Sequence, residues 1–181
     1  MQIEEAQCEV RRRFVGGFYG QLVSGLVWLA SAVCGTWVGH PPAMAVLVIG
    51  GFAIFPLTEL LVRLGGEKSA LKDNPLSALG MQVAFVLPLS MPLLVPIVQY
   101  RPGLFYPAMM ILLGAHYVPF VFLYGMKHFA ALAAMLLAGG VFIALTGPYP
   151  FTSGAWYTAA VLFVIAFVGR ALARTPTPGQ A

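Results

Sequence analysis

Six long apolar runs constrain the fold of this chain more than any other feature. Each run is long enough to cross a bilayer core, for which about 20 apolar residues suffice. A backbone in lipid must satisfy its own hydrogen bonds, and the runs show no strand-like alternation. The sequence therefore predicts an all-α polytopic membrane protein with six transmembrane helices, at about 14–38, 41–64, 76–99, 104–125, 128–147 and 154–173.

The composition excludes most soluble classes of protein. The chain has 181 residues, of which 60% are hydrophobic and only 9% are charged, whereas soluble domains carry roughly 25% charged residues. We therefore expect the lipid bilayer to be its main partner. The net charge of +4 is not accompanied by a basic patch with interleaved aromatic residues, so no binding to nucleic acid is expected.

Lys and Arg residues predict the orientation. If both termini lie on the same side, nine of the ten basic residues fall on that side and only Arg101 falls on the other. Because basic residues accumulate in cytoplasmic loops, both termini are predicted to be cytoplasmic. The nine residues are Arg11, Arg12, Arg13, Arg63, Lys68, Lys72, Lys127, Arg170 and Arg174.

Two terminal segments flank the six-helix domain, which is assigned to residues 14–173. Residues 3–13 within the segment 1–13 have acids first and arginines last, an order that suits the dipole of a short helix. We expect this helix to lie at the cytoplasmic membrane surface, with its arginines near anionic head groups. Residues 174–181 are rich in Pro and Thr and are predicted to form a disordered cytoplasmic tail.

Polar side chains within the apolar runs are the candidate functional residues, because such groups are costly in lipid. A rise of 1.5 Å per residue places them about 8 to 14 Å from the cytoplasmic ends of their helices. They are predicted to converge on the cytoplasmic half of the bundle, where any cavity would open towards the cytoplasm. The candidates for binding a ligand or proton are Glu59, Gln82, His116, Gln21, Tyr117 and Tyr19.

Two of these candidates have a structural as well as a functional interpretation. Glu59 precedes Arg63 by four residues, which favours an ion pair on one helix face, but a carboxylate in a cavity would also bind a proton or cation. His116 lies beside Pro119, whose ring frees the carbonyl of Ala115. The histidine either bonds to that carbonyl, or relays protons or binds a polar ligand.

Prolines and glycines predict irregular packing. Pro88, Pro92 and Pro96 recur at intervals of four in the third run and predict either a fixed bend or a broken helix that lines a pathway. Gly16 and Gly20 have the spacing that allows helices to approach closely, for which packing within the chain is the favoured interpretation over dimerisation.

No catalytic or metal-binding motif occurs in the sequence, so we expect no enzyme activity, cofactor or metal site. Two classes of function remain open. The first is a small-molecule transporter or binding protein, or an ion- or proton-linked one, which would work as a homodimer. The second is a non-catalytic accessory or assembly subunit of a larger membrane complex, in which the same polar groups only fix the packing.

Three segments carry a resemblance to a known family. They are RRRFVGGFYGQLVSGLVWLASAV (11–33), NPL (74–76) and GAHYVPFVFLYGM (114–126). Together they resemble a family of small bacterial multi-pass membrane proteins of unknown function. The resemblance implies a location in the bacterial inner membrane, and it implies no activity, substrate or catalytic residue. Where that family favours His-Pro-Leu, this chain has Phe55-Pro56-Leu57.

Overall fold

The computed structural model describes residues 1–66 and 73–174, and within them the chain is entirely helical apart from turns. Short 3₁₀ turns occur at Val15–Gly17, Met91–Leu93 and Pro102–Leu104. The α-helices are α1 (Ile3–Arg13), α2 (Phe18–Trp37), α3 (His40–Leu64), α4 (Leu76–Ser90), α5 (Leu94–Tyr100), α6 (Phe105–Tyr124), α7 (His128–Thr146) and α8 (Ser153–Arg174).

These elements form six helical spans that are long and apolar enough to cross a membrane, so the predicted fold class is confirmed to that extent. They agree with the predicted runs to within about two residues at their ends. The spans are Val15–Trp37, His40–Leu64, Leu76–Tyr100, Pro102–Tyr124, His128–Thr146 and Ser153–Ala173. The predicted tail lies outside the described residues, apart from Arg174 at the end of α8.

The sequence VGG (15–17) forms a sharp turn between α1 and α2. The sequence had predicted that these residues belong to the first transmembrane α-helix, which instead begins at Phe18. Val15, Gly16 and Gly17 all have positive φ, at 49°, 65° and 85°. A Cβ atom on Gly17 would lie 2.7 Å from the ring of Phe129. The left-handed backbone and the close approach to α7 together require glycine here.

The three prolines of the third span produce a bend. The span changes from α-helix to a 3₁₀ turn at Met91–Leu93 and back to α-helix, while Ser90 and Leu93 keep right-handed helical dihedrals. The N–H of Met91 donates to the carbonyl of Pro88, a carbonyl that the ring of Pro92 leaves without its normal donor. Of the two alternatives, the structure therefore shows a bent rather than an unwound helix.

The helices pack in two groups. In the first group, α2 packs against α3 and α8. The second group is the tight hairpin of α6 and α7, and α8 joins the two groups because it also packs against this hairpin. The hairpin turns at Gly125, whose left-handed φ of 60° ends α6. Helix α4 rests on α6, whereas α3 and α4 make few contacts with each other. These two spans are therefore the most peripheral of the bundle.

Helix α1 folds back onto one end of the bundle, which we call the α1 end. Gln7 and Arg11 donate to the carbonyls of Phe122 and Tyr124, at 2.5 and 2.9 Å, which are among the last carbonyls of α6 and have no partner within that helix. The Asn74 amide donates to the carbonyl of Ala6 at 3.0 Å. Of the three arginines predicted to lie near lipid head groups, Arg11 contacts α6 and Arg13 contacts α3 within the protein.

Candidate functional site

A cavity of about 510 Å³ lies at the α1 end, between α2, α3, α4 and α6. Its volume falls within the range of about 300–1,000 Å³ that is typical of small-molecule sites. Val10 and Phe14 line it from the α1 side, while Pro88 and Met91 line it where the third span bends. The N-terminal helix and the proline bend thus both help to define its shape.

Most of the lining is apolar, but eight polar side chains of the described residues reach the cavity from four helices. Helix α2 contributes an amide and a hydroxyl, α3 a hydroxyl and a carboxylate, α4 a hydroxyl, and α6 an imidazole and two phenols. They are Gln21, Ser24, Thr58, Glu59, Ser77, His116, Tyr117 and Tyr124. This mixture of an apolar wall with a few polar groups is the usual composition of a ligand site.

Four of the six predicted candidates meet in this cavity, and two do not. Gln21, Glu59, His116 and Tyr117 all line it. Gln82 instead has an exposed side chain on the outer surface of α4 and is absent from the lining. The Tyr19 hydroxyl lies beside Gly65 at the end of α3. The predicted convergence is therefore wrong for these last two residues, since each points away from the cavity around its own helix.

Glu59 is held by two arginines. Its Oε1 atom lies 2.5 Å from Arg13 and 3.3 Å from Arg63. The Arg13 side chain is only 12% exposed, whereas that of Arg63 is 72% exposed, so the contact with Arg13 is the better shielded from solvent. The geometry favours the structural interpretation of Glu59 over a free carboxylate that binds a cation. The sequence indicated Arg63 through its spacing, but no local pattern indicated Arg13.

Several buried polar atoms in the cavity have no hydrogen-bond partner within the protein. Both amide atoms of Gln21, the Thr58 hydroxyl and Nδ1 of His116 are unpaired, and Gln21 is only 1% exposed. Each such group costs about 1–3 kcal/mol when nothing compensates it. Because their side chains line the cavity, these groups are the candidate contacts for a bound molecule. Unpaired atoms also occur at His128 and Thr158, which do not line the cavity.

His116 does not form the local bond that one interpretation predicted. Its backbone interaction is with Val83 on α4, rather than with the carbonyl of Ala115 that Pro119 frees. Nδ1 remains unpaired. The imidazole is thus fixed by the neighbouring helix while one ring nitrogen stays available at the cavity.

Sequence reasoning missed Thr58 and Ser24 as candidate residues. Thr58 directly precedes Glu59, and Ser24 follows Gln21 by three residues, a spacing that places two side chains on one face of a helix. Hydroxyl groups are common within membrane helices, where they bond to the preceding turn, so their presence alone is a weak signal. What distinguishes Thr58 is that its hydroxyl has no such bond.

The unpaired polar groups of this cavity are able to form hydrogen bonds. Within residues 1–66 and 73–174, no three His, Cys, Asp or Glu side chains are grouped so that they could hold a metal ion. The unpaired groups are an amide, a hydroxyl and an imidazole nitrogen. They can donate to and accept from an uncharged polar molecule.

Six helices that are long and apolar enough to cross a membrane thus form a bundle with a cavity of the size of a small-molecule site. The model of a family of unknown function, DUF7010, matches residues 3–171. The chain therefore belongs to that family. Searches of curated proteins and of solved structures found no match.

Proposed function

We propose that this chain is a multi-pass protein of the bacterial inner membrane that binds a small uncharged molecule in the cavity at the α1 end. The observation that carries the proposal is that Gln21, Thr58 and His116 all line one cavity and that each holds a buried polar atom without a partner. In a purely structural bundle these groups would lower the free energy of unfolding, and no hydrogen bond would compensate for their burial. A bound molecule with hydroxyl, carbonyl or amide groups would satisfy them.

The charge distribution favours an uncharged ligand. Among the described lining residues only Glu59 has a formal charge, and it already bonds to Arg13 and Arg63. A cation would compete with these arginines, and an anion would be repelled by the carboxylate. The proton- or cation-linked form of the carrier hypothesis is therefore less favoured than the binding of a neutral molecule.

A cavity-filling variant tests this proposal. Gly80 lines the cavity, and a Cβ atom there would fit at 3.8 Å from Leu123, so Gly80→Leu should fill the space and keep the fold. Ala134→Leu is the matched control, because Ala134 is exposed on α7. We expect native mass spectrometry of the gently extracted protein to show a bound small molecule in the wild type and control but not in Gly80→Leu.

The opposite result would favour the second class of function. If the wild type carries no such molecule, or Gly80→Leu retains it, the cavity is not the binding site. The accessory-subunit hypothesis then becomes the better one, and a stable complex with another membrane protein should survive extraction.

The proposed orientation has its own test. The turn at Lys127 lies at the α1 end, whereas Gly103 lies in the turn before α6 at the far end, with open space around it. Single cysteines at these two sites, in a chain without Cys8 and Cys34, should react differently with an impermeant maleimide. With cytoplasmic termini, Gly103→Cys is labelled in intact spheroplasts and Lys127→Cys only after lysis. The reverse pattern would refute the orientation.

A further inference from the structure

The wall of the cavity between α3 and α4 differs from its other walls. Four large apolar residues line the cavity and have half or more of their surface exposed. They are Phe52 (60%), Phe55, Met81 and Phe85 (55%). A side chain can do both only where the wall is a single layer, and α3 and α4 make few contacts with each other. The cavity is therefore accessible from the side, through the gap between these two helices.

The depth of this gap is that of the lipid hydrocarbon. Phe52 lies 12 residues before the end of α3 at Leu64, which corresponds to about 18 Å along the helix. Phe85 lies nine residues after the start of α4 at Leu76, or about 13 Å. An opening at these depths faces acyl chains rather than water, because a bilayer core is about 30 Å thick.

The polar groups lie closer to the α1 end than the gap does. Thr58 is six residues from Leu64, or about 9 Å, and Gln21 is three residues from the start of α2. A molecule whose polar head reaches these groups and whose chain passes between Phe52 and Phe85 would have the same orientation as a lipid of the adjacent leaflet.

Direct access from the aqueous side is restricted by α1. Val10 and Phe14 line the cavity at that end. Arg11 ties α1 to the carbonyl of Tyr124 on α6, and the Arg13–Glu59 pair ties the segment after Val10 to α3. Opening this end would require breaking charge-assisted bonds, which are worth about 1.5–3 kcal/mol each. The side gap has no comparable bonds between the described residues of α3 and α4.

From these observations we infer that the ligand is a neutral single-chain amphiphile that enters sideways from the bilayer between α3 and α4. Its hydroxyl or carbonyl head bonds to Gln21 and Thr58, and its chain lies in the gap. A cavity of about 510 Å³ accommodates a head group with part of one chain. This inference rests on the proposed function and adds the chemical class of the ligand and its route.

The experiment uses the full chain in nanodiscs and a medium-chain monoacylglycerol that carries a photoreactive diazirine on its acyl chain. We expect saturable labelling of peptides that contain Phe52, Phe55, Met81 or Phe85, and competition by unlabelled monodecanoylglycerol. In a Gln21→Leu/Thr58→Val variant the labelling should fall at least tenfold. The control is Thr146→Val, whose hydroxyl lies at the far end and bonds to the Phe142 carbonyl.

Other outcomes overturn the inference in distinguishable ways. Equal competition by decanoate or decyltrimethylammonium would refute the neutral head group. Labelling that moves to α1 and α6 peptides, yet still depends on Gln21 and Thr58, would refute the side route and leave ligand binding in the cavity intact. The same labelling in the Gln21→Leu/Thr58→Val variant as in the wild type would show non-specific contact with lipid-facing surface.

A second copy of the chain is the competing occupant of this gap. Cross-linking between two chains through Phe85→Cys, in a background without Cys8 and Cys34, together with absence of saturable labelling, would show that the gap is a dimer interface. The native mass measurement on Gly80→Leu would still decide separately whether the cavity binds a small molecule.

Discussion

The two ends of the bundle contain similar polar residues in opposite states. At the far end, Ser31 donates to the carbonyl of Ala43 at 2.8 Å and lies 2.7 Å from the Tyr106 hydroxyl. Thr36 there donates to the carbonyl of Ala32 and accepts from Trp156. At the α1 end, Gln21, Thr58 and His116 hold unpaired atoms.

This difference separates a packing role from a binding role. A hydroxyl with its partners in place stabilises helix contacts in the membrane, where a typical bond contributes about 0.6 kcal/mol and at most about 1.7. A hydroxyl without a partner contributes nothing to the fold and is retained at a cost. Threonine occurs in both states, bonded at Thr36 and unpaired at Thr58, so residue type alone does not distinguish the two roles.

The largest effect on stability is expected at the ion pairs of Glu59, which lie at the α1 end. Glu59→Gln removes the charge that Arg13 and Arg63 share, and we expect the free energy of unfolding to fall by about 2 kcal/mol. Equilibrium unfolding in mixed micelles measures this change. Arg63→Gln is the matched control and should cost no more than about 0.5 kcal/mol, because exposed ion pairs contribute little. Equal losses from both variants would mean that burial of Arg13 does not matter.

An intermediate effect is expected at the far end. Tyr106→Phe removes one hydroxyl from the buried Ser31–Tyr106 contact and keeps the aromatic ring that packs on Trp28. The free energy of unfolding should fall by about 1 kcal/mol. A double-mutant cycle with Ser31→Ala checks that the loss belongs to this pair. Additive losses would show that the contact is not a coupled hydrogen bond.

The smallest effect is expected at Thr58, where a substitution should leave the free energy of unfolding unchanged or raise it. Comparison with Thr36 at the far end then contrasts an unpaired with a bonded threonine. Thr58→Val replaces an unpaired hydroxyl by a methyl group of similar size. We expect the free energy of unfolding of ligand-free protein to stay the same or rise by up to about 1 kcal/mol. Thr36→Val, the same substitution at a bonded threonine, should lower it by about 1 kcal/mol.

If both threonine variants lose the same stability, the distinction between the two ends fails. A loss confined to Thr58→Val would mean that Thr58 has a structural bond in solution, and the case for a ligand at that position would weaken. Melting curves in the same detergent provide an independent check on the sign.

The candidate site was only partly predictable, for a physical reason. Depth along a helix follows from sequence position, because the rise per residue is constant, and Gln21, Glu59 and His116, predicted to lie in the same half of the bundle, line one cavity. The direction of a side chain around its helix depends on which neighbours pack against it. The apolar surroundings of Gln82 and Tyr19 gave no asymmetry that could show that they point away from the cavity.

The sequence by itself determined the number of helical spans and their lengths. These follow from the length of the apolar runs, which can be read along the chain. It also indicated that α3 would carry an ion pair, through the spacing of Glu59 and Arg63.

Only the tertiary structure decided that Arg13 reaches Glu59 across 46 positions of sequence, that VGG is a turn against Phe129, and that α3 and α4 leave a gap. Each depends on how separate helices meet in three dimensions. In a chain that is apolar on all sides of its helices, the sequence carries little information about which helix faces meet. The reason is that an apolar side chain is equally compatible with lipid and with the protein interior.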